Sequence, residues 1–505
     1  MTFTGTPDFD LCVIGGGVNG AGIARDAAMR GLSVLLVEAQ DIAGATSSAS
    51  TKLIHGGLRY LETYQFRLVR ESLQEREVLM NLAPHIIKPL DFVMPHTPDL
   101  RPAWMIRAGL FIYDHLGGKS ALPRSRAVDF KKDPCGRPLK DLYQHGYHYS
   151  DCWVNDARLV VLNVMSAEEH GARIMTRTAC VGLDATADKS CWNVRLRNIS
   201  SGFEGVYTAR AVINATGPWV RKFLEGCQLA NDTTPKVRLV KGSHIILPRL
   251  YEGSHTYLLQ QPDRRVVFAI PYEGHYTLIG TTDVEYEGDP ASIAIEEKEI
   301  NYLVKAVNLY FKGQVSPKHV FWTYSGVRPL VDDGDSNATN VTRDYKLVPD
   351  TSYGPLILSV FGGKLTTYRK LSEHAIDQLF KLQKYKFKKS ITHTEPLPGG
   401  DSPLSMDQFI KEQAKKYQWL EADLLRRYAT TYGTGMDVLL KDKQSTDDMG
   451  TAYGDGVYGA ELDYLVKHEW AKNLDDILWR RTKLGLHISD TTYANLNSYA
   501  TFKAA

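Results

Sequence analysis

Gly15, Gly17 and Gly20 stand at the spacing G-x-G-x-x-G, between the apolar run at residues 10–14 and a helix-forming stretch at 21–30. Glycines in this order give a tight turn, a close backbone approach to a pyrophosphate, and close packing of helix on strand. The anion then lies at a helix N-terminus, where N–H groups and the helix dipole favour negative charge. Ile14, Val18 and Asn19 border the turn. A second buried run, residues 33–37, closes on Glu38 and Ala39. A carboxylate there accepts hydrogen bonds from both hydroxyls of an adenosine ribose and repels a 2′-phosphate, which disfavours NADP. Strand, turn, helix, strand and acid make a βαβ unit for a dinucleotide, without separating NAD from FAD.

The next segments make that separation. Residues 45–52 carry small hydroxyl side chains just after the acid, with Thr46, Ser47, Ser48, Thr51 and Lys52 placed along an extended dinucleotide. His55 precedes Gly56 and Gly57, where backbone can press against a flat ring. Much later, the buried strand 356–361 runs through Gly362 and Gly363 into a helix starting near Leu365. That start aims N–H groups, with the charge of Lys364, at an anion forming on a ring. A flavin that accepts a hydride develops such charge at N1 and the C2 oxygen. The expected cofactor is FAD.

The elements that position these residues follow from periodicity. Residues 65–82 are spaced as an amphipathic helix ending before Pro84. Residues 237–282 show apolar segments broken by Gly and Pro, the pattern of a mostly antiparallel sheet. Residues 325–329, Ser-Gly-Val-Arg-Pro, read as a tight turn, and 396–403 as a linker before a helical domain. A chain of 505 residues exceeds one core, and at roughly 100–200 residues per domain it holds two to four. A net charge of +2 gives no global field for nucleic acid. Six cysteines without a CxxC pair argue against a zinc or disulfide framework, and no metal is expected. The opening residues make a poor signal peptide, and no run has the 18 or so apolar residues of a spanning helix.

Several motifs together resemble the FAD-dependent sn-glycerol-3-phosphate dehydrogenases of the bacterial aerobic type. They lie at residues 14–31, 55–60, 214–219, 241–244, 280–285, 325–329, 342–345 and 362–369. The resemblance implies an α/β protein with a discontinuous FAD domain of glutathione-reductase type at 1–80, 150–235 and 350–390. It further implies a mostly antiparallel substrate-binding cap, related to amino-acid oxidases, at 81–149 and 236–349, and a helical C-terminal domain at 396–505. Ala215, Thr216, Gly217, Trp219, Leu365, Thr366 and Thr367 join the expected FAD contacts. The implied reaction oxidises glycerol 3-phosphate to dihydroxyacetone phosphate and passes electrons to membrane quinone. A homodimer is expected, in the cytoplasm and peripherally attached to the inner face of the cell membrane.

A phosphate dianion suits guanidinium groups, and Arg328 and Arg343 are the expected pair, with Arg59 and Tyr60 as further ligands. Loss of the hydroxyl proton needs a base. His244 and His55 are the candidates, His244 preferred because the resemblance places it toward the substrate. Lys364 would stabilise reduced, anionic flavin. Residues 103–113, with Trp104, Ile106, Leu110 and Phe111 between Arg101 and Arg107, read as an interfacial segment on anionic lipid. The basic run 381–389 is a second lipid contact. An oxidase that uses dioxygen and releases hydrogen peroxide is the alternative activity, and a non-catalytic flavoprotein the alternative class.

Overall fold

The computed structural model describes residues 6–97, 101–332 and 344–499. Its first sheet has Phe9–Ile14 at the centre, parallel to Val34–Val37 on one side and Glu204–Asn214 on the other. Leu356–Phe361 extends it in parallel, Lys346–Asp350 closes that edge antiparallel, and Arg173–Met175 closes the other. Side chains alternate across the central strand. Leu11 and Val13 join the core beneath the helices Val18–Met29, Asp156–Glu169 and Tyr368–Leu382, whereas Cys12 and Ile14 join a second core on the opposite face. Both faces are covered, so this strand reads as an unbroken apolar run.

The second sheet has ten strands, every pair antiparallel except Thr256–Gln260 with Ile87–His96. Its long strand Val237–Pro248 pairs with Tyr276–Gly280 on one side and Trp322–Val331 on the other. Residues 325–329 are therefore strand, not the expected turn. Trp322–Val331 pairs with Val237–Pro248 alone, and an edge strand tolerates Gly326 and Pro329. The expected limit at 149/150 falls inside His145–Val154, and Leu53–Ile54 pairs with that strand rather than with the first sheet.

The remaining helices Met406–Lys416, Ala422–Tyr432, Gly459–His468 and Asp490–Leu496 close on a core of their own, with a small hairpin at Ala452–Gly454 and Val457–Tyr458. Buried ion pairs join this domain to the first sheet. Arg481 donates from Nη1 and Nη2 to the two carboxylate oxygens of Asp41, at 2.6 and 2.7 Å. Arg177 grips Asp476 at 2.7 and 2.9 Å, and Arg158 pairs with Glu469. A buried charge demands such a partner, so these pairs fix where the domain docks.

Candidate active site

A cleft of about 580 Å³ opens where the two sheets meet, lined from the glycine-rich turn to Lys364. Sterics explain the turn. A Cβ on Gly20 would lie 1.9 Å from Gly15 O, and one on Gly15, at φ +111°, would lie 2.6 Å from Ala215 O. Glu38 accepts from Gly16 N at 2.6 Å and Gln40 N at 2.7 Å, and burial raises its carboxyl above the ordinary range against those two bonds. Ser47 Oγ accepts from Val18 N at 3.0 Å, covering the first turn of the helix. Across the cleft Asn19 Nδ2 donates to Gly362 O at 3.2 Å. His55 N donates to Thr366 Oγ1 at 3.3 Å, joining the two glycine-bearing segments. Ile14, Val18, Ala39, Thr46, Ala215, Thr216, Gly217, Trp219, Gly363 and Leu365 complete the expected wall. A narrow glycine cradle, a helix start and an acid at the second strand's end fit an extended FAD.

The other part of the cleft is built by strand register. His244 stands opposite Gly280 on one neighbouring strand and Tyr324 on the other. A Cβ on Gly280 would fall 1.9 Å from His244 Cδ2, so the imidazole occupies space that only glycine leaves. Thr51 Oγ1 lies 2.9 Å from His244 Nε2, while Nδ1 is buried without a hydrogen-bond partner. Burial pushes the imidazole well below its ordinary value, and the charges of Lys52 and Arg328 push the same way. Burial thus favours the neutral ring, with Nε2 beside Thr51 and Nδ1 enclosed without a partner.

Arg328 lines the same cleft and donates to Asp283, with Nη2 3.2 Å from Thr281 Oγ1. Gly242 makes room for it, since a Cβ there would meet Nη2 at 2.4 Å. Beneath, Glu299 accepts from Ser243 at 2.9 Å and Thr282 at 2.7 Å and pairs with buried Lys241 at 2.8 Å. Lys364 Nζ stands 3.8 Å from the centroid of the Tyr60 ring, which reaches the cleft because Gly57, at φ +78°, has no side chain to block it. Arg343 lies outside the described residues.

Some of the expected contact residues stand outside the cleft lining. Lys52 is buried, 2.8 Å from Asp156 Oδ1, and its Nζ donates to Ser48 O at 3.1 Å, so it braces the cradle from behind. Lys52 and Ser48 line instead an adjoining cavity of about 320 Å³. Gly20, Gly56, Gly57 and Thr367 stand behind the cleft wall and shape it. Arg59 is half-buried beyond the wall and makes no hydrogen bond or ion pair with a described residue. Sequence reasoning missed Gly242, Gly280, Asp283 and Tyr324. Gly280 and Asp283 lie within the 280–285 motif, whereas Tyr324 carried no local signal.

Residues 10–369 match the family model described as FAD dependent oxidoreductase, and the chain belongs to that family. Residues 390–503 match the C-terminal domain of alpha-glycerophosphate oxidase. A glycerol-3-phosphate dehydrogenase of Pseudomonas aeruginosa is 52% identical over 494 residues, covering 97% of this chain and 94% of its own. A D-erythritol 1-phosphate dehydrogenase of Brucella abortus is 49% identical over 489 residues, covering 96% of each. Among solved structures, the glycerol-3-phosphate dehydrogenase of Bacillus halodurans complexed with FAD superposes with a TM-score of 0.77 at 26% identity, covering 98% of this chain and 91% of that one. Within its family the chain groups with the FAD-dependent glycerol-3-phosphate dehydrogenases.

Proposed function

We propose that this enzyme oxidises the C2 hydroxyl of sn-glycerol 3-phosphate to the ketone of dihydroxyacetone phosphate. The observation that carries the reading is the meeting, in one cleft with the dinucleotide cradle, of a neutral buried imidazole, a guanidinium and an ammonium: His244, Arg328 and Lys364. Arg328 binds the phosphate. Asp283 and Thr281 hold its plane, leaving its remaining N–H groups for the phosphate oxygens. His244 takes the hydroxyl proton. Its Nε2 lies 2.9 Å from Thr51 Oγ1, and burial favours the neutral ring that can accept the proton. The glycine-rich turn, Glu38 and the segment 362–365 would hold FAD, which would supply the hydride acceptor for C2. Lys364 supplies positive charge within the same cleft, and Tyr60 lies beneath its ammonium.

Anaerobic mixing of the purified enzyme with polyol phosphates, followed by flavin bleaching, tests this reading. Glycerol 3-phosphate should bleach it, and no bleaching by any polyol phosphate overturns the assignment. D-erythritol 1-phosphate belongs in the panel, because a relative 49% identical is named for it and differs only in a longer polyol chain on the same phosphate. The match of residues 390–503 to the C-terminal domain of alpha-glycerophosphate oxidase supports a second reading, dioxygen as acceptor. A peroxide assay decides between them.

We further propose membrane quinone as acceptor and an anionic lipid surface as docking partner. No described helix is long and apolar enough to cross a membrane. The helix Ala103–Leu116 nevertheless exposes Trp104 (69%), Phe111 (65%), Met105 (42%) and Ile112 (40%), flanked by Arg101 and Arg107. Leu110, by contrast, is 1% exposed and Ile106 packs on the same core, so those two expected lipid contacts face inward.

A further inference from the structure

Asp133, Cys135 and His148 bring a carboxylate oxygen, a thiol sulfur and a ring nitrogen within 4.8 Å of one another, outside the cleft. Cys135 Sγ lies 3.6 Å from His148 Nε2. With Zn–S about 2.3 Å and Zn–N about 2.0–2.1 Å, two ligands on a tetrahedral zinc ion stand about 3.6 Å apart. The cluster is rigidly framed. His148 sits within the strand His145–Val154, paired on both sides. The turn Pro134–Gly136 is held by Asp133 Oδ1, which accepts from Cys135 N at 3.1 Å, and by Tyr257, whose hydroxyl donates to Cys135 O. Gly136 lies flat on Phe130, where a Cβ would meet Phe130 O at 2.1 Å. Asp133 Oδ2 has Arg126 at 3.6 Å, a side chain 58% exposed that can swing away into water.

His255 is a second histidine nearby. Its ring lies 5.2 Å from that of Tyr251 and 4.8 Å from that of Tyr257, and its Nε2 is buried without a hydrogen-bond partner. It is close enough to His148 and Asp133 for their charges to shift its protonation. Among the described residues, no other three side chains of these types converge in this way.

We propose that Asp133, Cys135 and His148 bind a zinc ion in the second domain, leaving a fourth coordination position open. A thiolate, an imidazole and a carboxylate are a borderline donor set, which suits Zn²⁺ rather than Ca²⁺ or Mg²⁺. Binding exchanges the Cys135 thiol proton for the metal and releases that proton to solvent. The ion would pin the turn Pro134–Gly136 to the sheet, apart from the flavin chemistry. Sequence inspection overlooks such a site because its ligands fall on a D-x-C turn and a strand position 13 residues further on, not on a CxxC pair.

Cobalt titration of the chelator-treated holoenzyme tests this, because Co²⁺ in a tetrahedral thiolate site shows a sulfur-to-metal charge-transfer band and strong visible bands. The expected result is one equivalent of Co²⁺ with that band, displaced by Zn²⁺, in difference spectra against the flavin. Cys135→Ser should abolish the band, and His148→Ala should weaken affinity at least about tenfold, since even outer-shell partners are worth about 10- to 100-fold. Dye-coupled turnover should be unchanged in both variants. Absence of the band in the unaltered holoenzyme overturns the proposal, and so does its full retention in Cys135→Ser.

Discussion

The imidazole of His244 lies face to face with the phenol ring of Tyr324, their centroids 4.7 Å apart and their planes 18° from parallel. The same phenol hydroxyl donates to Ser50 O at 2.8 Å, and Lys52 Nζ sits 4.9 Å from the ring centroid. Ser50 in turn donates from N and Oγ to Asp156, at 3.1 and 2.7 Å. The ring proposed as the base is therefore stacked on a residue that also holds the hydroxyl-rich cradle in place. That imidazole and the cradle share one support.

Gly280→Ala should lower turnover by about 100-fold or more while leaving FAD bound, because the added Cβ claims the position of His244 Cδ2. Steady-state rates with a soluble dye, alongside flavin content, measure this. Full activity in a folded variant would show that the imidazole is not confined as described.

Arg328→Ala should reduce kcat/KM for glycerol 3-phosphate by about 30- to 1000-fold, as expected for a partly desolvated phosphate contact worth about 2–4 kcal/mol. Flavin occupancy should not change. An unaltered kcat/KM would remove Arg328 from substrate binding and leave it only its bonds to Asp283 and the 281–282 segment.

Glu38→Ala should accelerate flavin loss on dilution without changing substrate preference, since this acid lies beside the glycine-rich turn. Gel filtration followed by the absorbance ratio of flavin to protein gives the readout. Undiminished retention would place the ribose elsewhere.

Acid should destabilise the fold in a defined window. Burial lowers His85 to about 3 and His255 to about 4, and keeps His244 well below its ordinary value. In the unfolded chain each histidine takes a proton near pH 6.5. The unfolded state then binds more protons below that pH, so stability falls as pH drops from about 6.5 toward about 4. Urea midpoints at several pH values measure the slope, and His85→Gln should flatten it. An identical slope in that variant would assign the effect to other groups.

Replacing Trp104, Met105, Phe111 and Ile112 with Ser should weaken binding to anionic vesicles at least about tenfold, since burying even one such side chain is worth about 1.5 kcal/mol. The melting temperature should hold, as these side chains face outward. Leu110→Ser, which cuts into the core, should instead lower the melting temperature. Undiminished vesicle binding would shift the contact to the basic segment 381–389.

The dinucleotide turn was legible in the sequence because its glycines stand at a fixed local spacing: Gly20 is needed by Gly15 O, five residues back, even though Gly15 itself is pressed by the distant Ala215. The surroundings of His244 were not. Gly280 and Tyr324 reach it through pairing between strands far apart in the chain, and register leaves no mark on local periodicity. The same blindness made residues 325–329 read as a turn, because Gly326 and Pro329 carry punctuation that an edge strand can absorb. The setting of Lys52 is hidden for a related reason. Its burial depends on Asp156, a partner no pattern near residue 52 announces.

The grip of Arg481 on Asp41 connects two equilibria. Asp41 lies on the segment that leads from Glu38 into the hydroxyl cradle, so this one carboxylate ties that segment to the C-terminal domain. Two events that favour one conformation must strengthen each other by the same factor. Flavin occupancy then becomes visible from a distance. A chain that has lost its cofactor should release the helical domain more readily, and protease cutting at residues 396–403 should report how much flavin the population still holds.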